Sequence, residues 1–158
     1  MFAQVNISDL KFHTILRGSV LIARRIGVPT QTWSRLLVGL QDGTGNTCVL
    51  IFNHHMRDVP AEEFIPEGAT LAIKQPYLHA DMVHSPHEIS NNAKNLKSMF
   101  FALRVNHPAD LVVLPPCDIL VPSKFRTATS GDTAASWKES GNSAFTNGRY
   151  LEAHRWYV

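Results

Sequence analysis

His79, Asp81, His84, His87 and Glu88 carry metal-ligand atoms within one short stretch, and His54-His55 add two more imidazoles. Zinc and related ions take such nitrogen and oxygen donors. No pair has the His-x3-His spacing that sets two rings on one helix face, and a loop that chelates must first lose its conformational freedom. These side chains are read as solvated loop residues, and no metal site is expected. Trp33, Arg35, Phe52, Lys74 and Tyr77 form a second set, aromatic platforms and cations of the kind that stack bases and hold phosphates. Gly43-Thr44-Gly45 resembles a phosphate loop only in glycine content, because no helix follows it. Nothing resembles a nucleophile elbow. Catalysis has no candidate residues, so neither enzymatic activity nor a cofactor is expected of this chain.

These side chains need a scaffold, and the residue pattern describes one. Arg17 to Ile26 is rich in β-branched and aliphatic residues up to Gly27-Val28-Pro29, which predicts a strand ending there. Trp33 to Gln41 alternates Ser34, Leu36, Val38 and Leu40 against Trp33, Arg35, Leu37 and Gly39, the period of a strand with one face in a core. Asp42-Gly43-Thr44-Gly45 is a turn signal and Thr47 to Phe52 resumes the apolar run, so a hairpin is expected. Pro60-Ala61-Glu62-Glu63-Phe64 has proline and acids where a helix start favours them. Strands follow at Thr70 to Lys74, Phe100 to Val105 and Leu111 to Leu114, with Leu78 to Lys97 read as a long loop. His107-Pro108-Ala109-Asp110 reads as a structural turn.

Three strands, a short helix and two more strands is the order of an OB-fold, a small Greek-key barrel. The expected fold is therefore mainly β, an OB-like barrel over 1–121, a Ser/Thr/Gly linker over 122–133 and a helical segment over 134–158. At 158 residues, with 44% hydrophobic and 18% charged residues, the chain is long and apolar enough to fold around a real core. A formal charge of +2 is too small to mark a nucleic-acid binder by its field, and argues against affinity for single strands at moderate salt. Cys48 and Cys117 form no C-x-x-C motif, which points to a reducing compartment. With no signal peptide or membrane-length apolar run in the sequence, cytoplasm or nucleus is expected and no membrane partner.

Trp137-Lys138-Glu139-Ser140-Gly141-Asn142-Ser143-Ala144-Phe145 leads through Asn147-Gly148-Arg149 to Tyr150, Ala153 and Tyr157. The spacing resembles a tetratricopeptide repeat (TPR), a helical hairpin of about 34 residues. Trp137, Gly141, Tyr150, Ala153 and Tyr157 match its fixed places, whereas Ser140 and Ala144 replace a usual Leu and a usual larger aromatic. Gly141 and Ala144 would let the helix carrying Ala153 pack closely across the Gly148 turn. Since Val158 falls inside the second helix, an incomplete repeat of a longer parent is expected.

The chain also resembles a group of fungal tetratricopeptide proteins, some continuing into a SET-type methyltransferase domain. The resemblance rests on Glu67 to Tyr77, Arg104 to Leu111 and Lys138 to Asn142. It implies a non-catalytic scaffold for protein partners. In some relatives a first-repeat Lys and an Asn four residues later clamp the terminal carboxylate of Hsp70 or Hsp90 tails; Lys138 and Asn142 match those positions. Two alternatives stand beside the scaffold: a single-strand nucleic-acid binder, and the N-terminal targeting region of a SET-domain protein lysine methyltransferase.

Overall fold

The alternation around Val38 does what its period requires. In a computed structural model that describes residues 2–32, 35–53, 59–83, 98–126 and 133–157, strand β3 (Leu36–Asp42) buries every second residue and pairs antiparallel with β4 (Thr47–Phe52) from Leu36 opposite Phe52 to Gln41 opposite Thr47. The other strands are β1 (Ala3–Val5), β2 (Ser19–Gln31), β5 (Thr70–Lys74), β6 (Leu78–Val83), β7 (Ser98–Val105) and β8 (Leu111–Leu114), with helices α1 (Ala61–Phe64), α2 (Ala134–Thr146) and α3 (Tyr150–Tyr157). The chain is mainly β. Its single mixed sheet runs β6-β7-β4-β3-β2-β5-β8, with β1 parallel to β2 and β7 parallel to β4.

The sheet curls strongly. β5 and β6 lie near opposite ends of the strand order, yet only Gln75, Pro76 and Tyr77 separate them, and three residues span little distance. No ladder joins β5 to β6, so the hydrogen-bonded ring stays open among the described residues. Isolated bridges pair Phe12 with Leu78 and Ile15 with Tyr77, which lays the segment before β2 across the opening.

Inside the curl, Leu21, Leu36, Val38, Leu40, Leu50, Phe52, Leu71, Ile73 and Leu103 form one core. Ile65 and Phe64 close one end of it, with Phe64 stacked on Phe52 at 5.0 Å. The opposite faces of β2 and β5 bury a second cluster, Val20, Ile22, Ala72, Leu114, Val121 and Phe125.

Several boundaries differ from the sequence reading. β2 runs on past Gly27-Val28-Pro29 to Gln31, because a register shift between Ile26 and Thr30 absorbs the irregular residues without ending the pairing. Leu78 to Val83, read as loop, is a strand paired with β7, while 84–97 lie outside the described residues. Ser123–Phe125, read as linker, is a short helical turn held to the sheet by buried Phe125. α2 begins with a reciprocal cap in which the Thr133 hydroxyl accepts from the Ser136 amide at 3.2 Å.

Candidate functional site

Arg24 and Arg25 are neighbours on β2 and therefore point to opposite faces of the sheet. Arg25 turns under α1 and is 3% exposed. Its guanidinium donates to both carboxylate oxygens of Glu62, at 2.7 Å to Oε1, and to the carbonyls of Gly27 and Ile65. Every face of that cation is occupied. Hydrogen bonding from Arg25 holds the Glu62 carboxyl below its ordinary value, against a smaller opposing effect of burial.

Arg24 instead faces a cavity of about 650 Å³ at the end of the sheet, walled by α1, β5, β8 and α3. Glu62, Glu63, Glu67, Phe125, Arg149 and Trp156 line it with Arg24. Pro60, Pro66, Pro115 and Pro116 stiffen its rim. Gly68 makes the floor possible. Its φ is +67°, and a Cβ there would stand 3.0 Å from Nη2 of Arg24. Glu63 and Arg149 are engaged by other groups. The guanidinium of Arg24 and the carboxylate of Glu67 have no hydrogen-bond or ion-pair partner among the described residues. The cavity thus holds two open groups of opposite sign beside two aromatic rings.

The buried carboxylate of Asp42 serves structure. It accepts from the amides of Ile7, Thr44 and Asn46 at 2.8 to 2.9 Å and from the Thr44 hydroxyl at 2.7 Å, tying the chain before β2 to the β3–β4 turn. Burial pushes its carboxyl up, but these donors outweigh burial and leave it below its ordinary value. Burial, with the Asp42 charge, pushes the Cys48 thiol up to about 12. Such a thiol is inert near neutral pH.

The aromatic and basic set read from the sequence does not assemble on one face. Phe52 is 1% exposed in the core, so it offers no platform. Arg35 pairs with Asp81 at 3.0 Å and Lys74 donates to the Ala109 carbonyl at 3.1 Å. Trp33 lies outside the described residues. Tyr77 alone joins a cluster, stacking on His79 at 5.7 Å with its hydroxyl 3.4 Å from Nδ1 of His13. Of the metal-donor set, His54, His55, His84, His87 and Glu88 lie outside the described residues. Among those described, no three His, Cys, Asp or Glu side chains are grouped to hold a metal.

On the helical hairpin, Lys138 and Asn142 are exposed one turn apart on α2. Gly141, Ala144 and Ala153 are buried where α2 and α3 cross, beside partly buried Trp137. Gly148 makes the intervening turn with φ +74°, Tyr150 meets Phe145 edge-on at 5.4 Å, and Tyr157 closes α3.

No family model matches the chain. Along 97% of its length it is 23% identical to a protein of Gibberella zeae described as a methyltransferase, and it spans 19% of that protein. Two expectations are corrected here. The tetratricopeptide resemblance fails: the fold is mainly β sheet, no family model supports it, and the matching protein carries a different description. Its lure was the small-residue crossing of α2 and α3, which any tight helical hairpin needs. The scaffold role and the chaperone-tail clamp assigned to Lys138 and Asn142 rested on that resemblance and lose its support. The expectation that the chain is no enzyme is also overturned, because the description of the matching protein points to methyl transfer. Among the described residues no helix is long and apolar enough to cross a membrane.

Proposed function

We propose that this chain is the substrate-recognition region of a protein lysine methyltransferase, working in the cytoplasm or nucleus, and that the cavity beside Arg24 and Glu67 seats the lysine-bearing segment. The observation that carries the reading is the pair of open groups, Arg24 and Glu67, in one cavity with Trp156 and Phe125. A peptide segment offers what they lack. Its backbone carbonyls accept from Arg24, and its lysine ammonium pairs with the Glu67 carboxylate. The aliphatic stem of lysine packs on the partly exposed Trp156 ring, which also attracts the cation. About 650 Å³ falls in the range of sites that enclose one large side chain and its neighbours. Alignment of nearly the whole chain with part of a protein described as a methyltransferase supports methyl transfer as the reaction.

Fluorescence anisotropy with a labelled basic peptide containing one lysine tests this. Replacing that lysine by norleucine, or Glu67→Gln in the protein, is expected to weaken binding roughly tenfold, the loss of one charge-assisted hydrogen bond. Equal affinity for the lysine and norleucine peptides contradicts the reading.

A further inference from the structure

The outer face of the β4–β7–β6 ladder carries a second open cation. Leu103 and Val105 of β7 point into the core, so Ala102 and Arg104 face outward. Leu78 pairs with core residue Leu103, which places Tyr77 and His79 on that same outer face, and the Arg104 amide donates to the Tyr77 carbonyl at 3.0 Å. Across the ladder, Ile51 lies opposite Arg104 and Val49 opposite Ala102; Ile51 and Ala102 are buried, so Arg104, Tyr77 and His79 are what this face presents. His13 reaches in from the crossing segment, its ring 5.5 Å from that of His79 and edge-on to it.

The polar atoms of this patch are not satisfied internally. Nε of Arg104 and Nδ1 of His79 are buried without a hydrogen-bond partner, and no carboxylate among the described residues meets the Arg104 guanidinium. Asp81 on the same strand is already held by Arg35. An arginine half-withdrawn from water and left unpaired is costly unless an anion completes it. Beside it lie two stacked rings, Tyr77 and His79, inclined by only 23°.

We infer that this face binds single-stranded nucleic acid, Arg104 taking a backbone phosphate while an unstacked base lies against the Tyr77–His79 rings. A phosphate next to a flat aromatic surface is the repeating chemistry of a single strand. A duplex keeps its bases stacked on each other and cannot use the platform. The site is separate from the Arg24–Glu67 cavity and does not depend on the methyltransferase reading.

The test is anisotropy of a labelled oligothymidylate of roughly 12 nucleotides at about 50 mM salt. Micromolar affinity that weakens as salt rises is expected. Arg104→Gln and Tyr77→Ala should each reduce affinity at least about fivefold, while Glu67→Gln leaves it unchanged. Melting temperatures guard against misfolding; if Tyr77→Ala unfolds the chain, Arg104→Gln decides. Absence of binding, binding unaffected by Arg104→Gln, or equal binding of a duplex of the same length through the same residues overturns the inference.

Discussion

Arg25 and Arg104 sit in one sheet and are used in opposite ways. Arg25 is sealed between β2 and α1, its donors matched by Glu62, Gly27 and Ile65, so its charge fastens the fold. Arg104 is half-withdrawn from solvent on the outer face, its Nε buried, with no such partners among the described residues. The difference teaches where to look for function: a satisfied buried charge explains a structure, and an unsatisfied one asks for a ligand. Arg24 shows the same contrast at a distance of one residue, since it leaves Arg25 to the fold and opens into the cavity.

The sharpest way to break that comparison is to remove each cation. Arg25→Ala should cost about 2 kcal/mol in urea denaturation, because it leaves the Gly27 and Ile65 carbonyls without their donor. Arg104→Ala should cost no stability and can raise it slightly, since no internal bond is lost and an unpaired charge is removed. Comparable losses in the two variants would erase the distinction.

Asp42 extends the comparison to pH. Its folded carboxyl lies below its ordinary value of 3.8, so its contribution is full above that value and is lost as pH falls through the depressed folded one. Asp42→Asn should cost about 2 kcal/mol near neutral pH and flatten the acid limb of the stability curve. An unchanged acid limb shows that other carboxylates control it.

The smallest effect concerns the thiols. Cys117 is exposed and Cys48 is half-buried with its thiol pushed up to about 12, so thiol reagents at neutral pH should label one cysteine in the native chain and both in denaturant. Prompt native labelling of Cys48 contradicts the packing of β4.

How much of this was legible beforehand depends on how local each signal is. The β3–β4 hairpin was readable because alternation and the Asp42-Gly43-Thr44-Gly45 turn lie within one stretch. β6 carried a readable signal too, Leu78 and Ala80 against His79 and Asp81, but its polar face masked the period. β1 has three residues and exists through its parallel partner β2, which no local pattern shows. Phe52 looked like a platform because composition cannot separate the two faces of an apolar strand. The cavity was illegible for the same reason on a larger scale, since its walls come from Arg24 through Trp156 and converge only in the fold.

Two open sites take different ligands, and one crossed titration tests that separation most directly. The lysine peptide and the oligothymidylate are each titrated into the Glu67→Gln and Arg104→Gln variants. The prediction is that Glu67→Gln weakens the peptide roughly tenfold and spares the oligonucleotide, whereas Arg104→Gln weakens the oligonucleotide about fivefold or more and spares the peptide. Both variants weakening the same ligand, or neither weakening any, contradicts it.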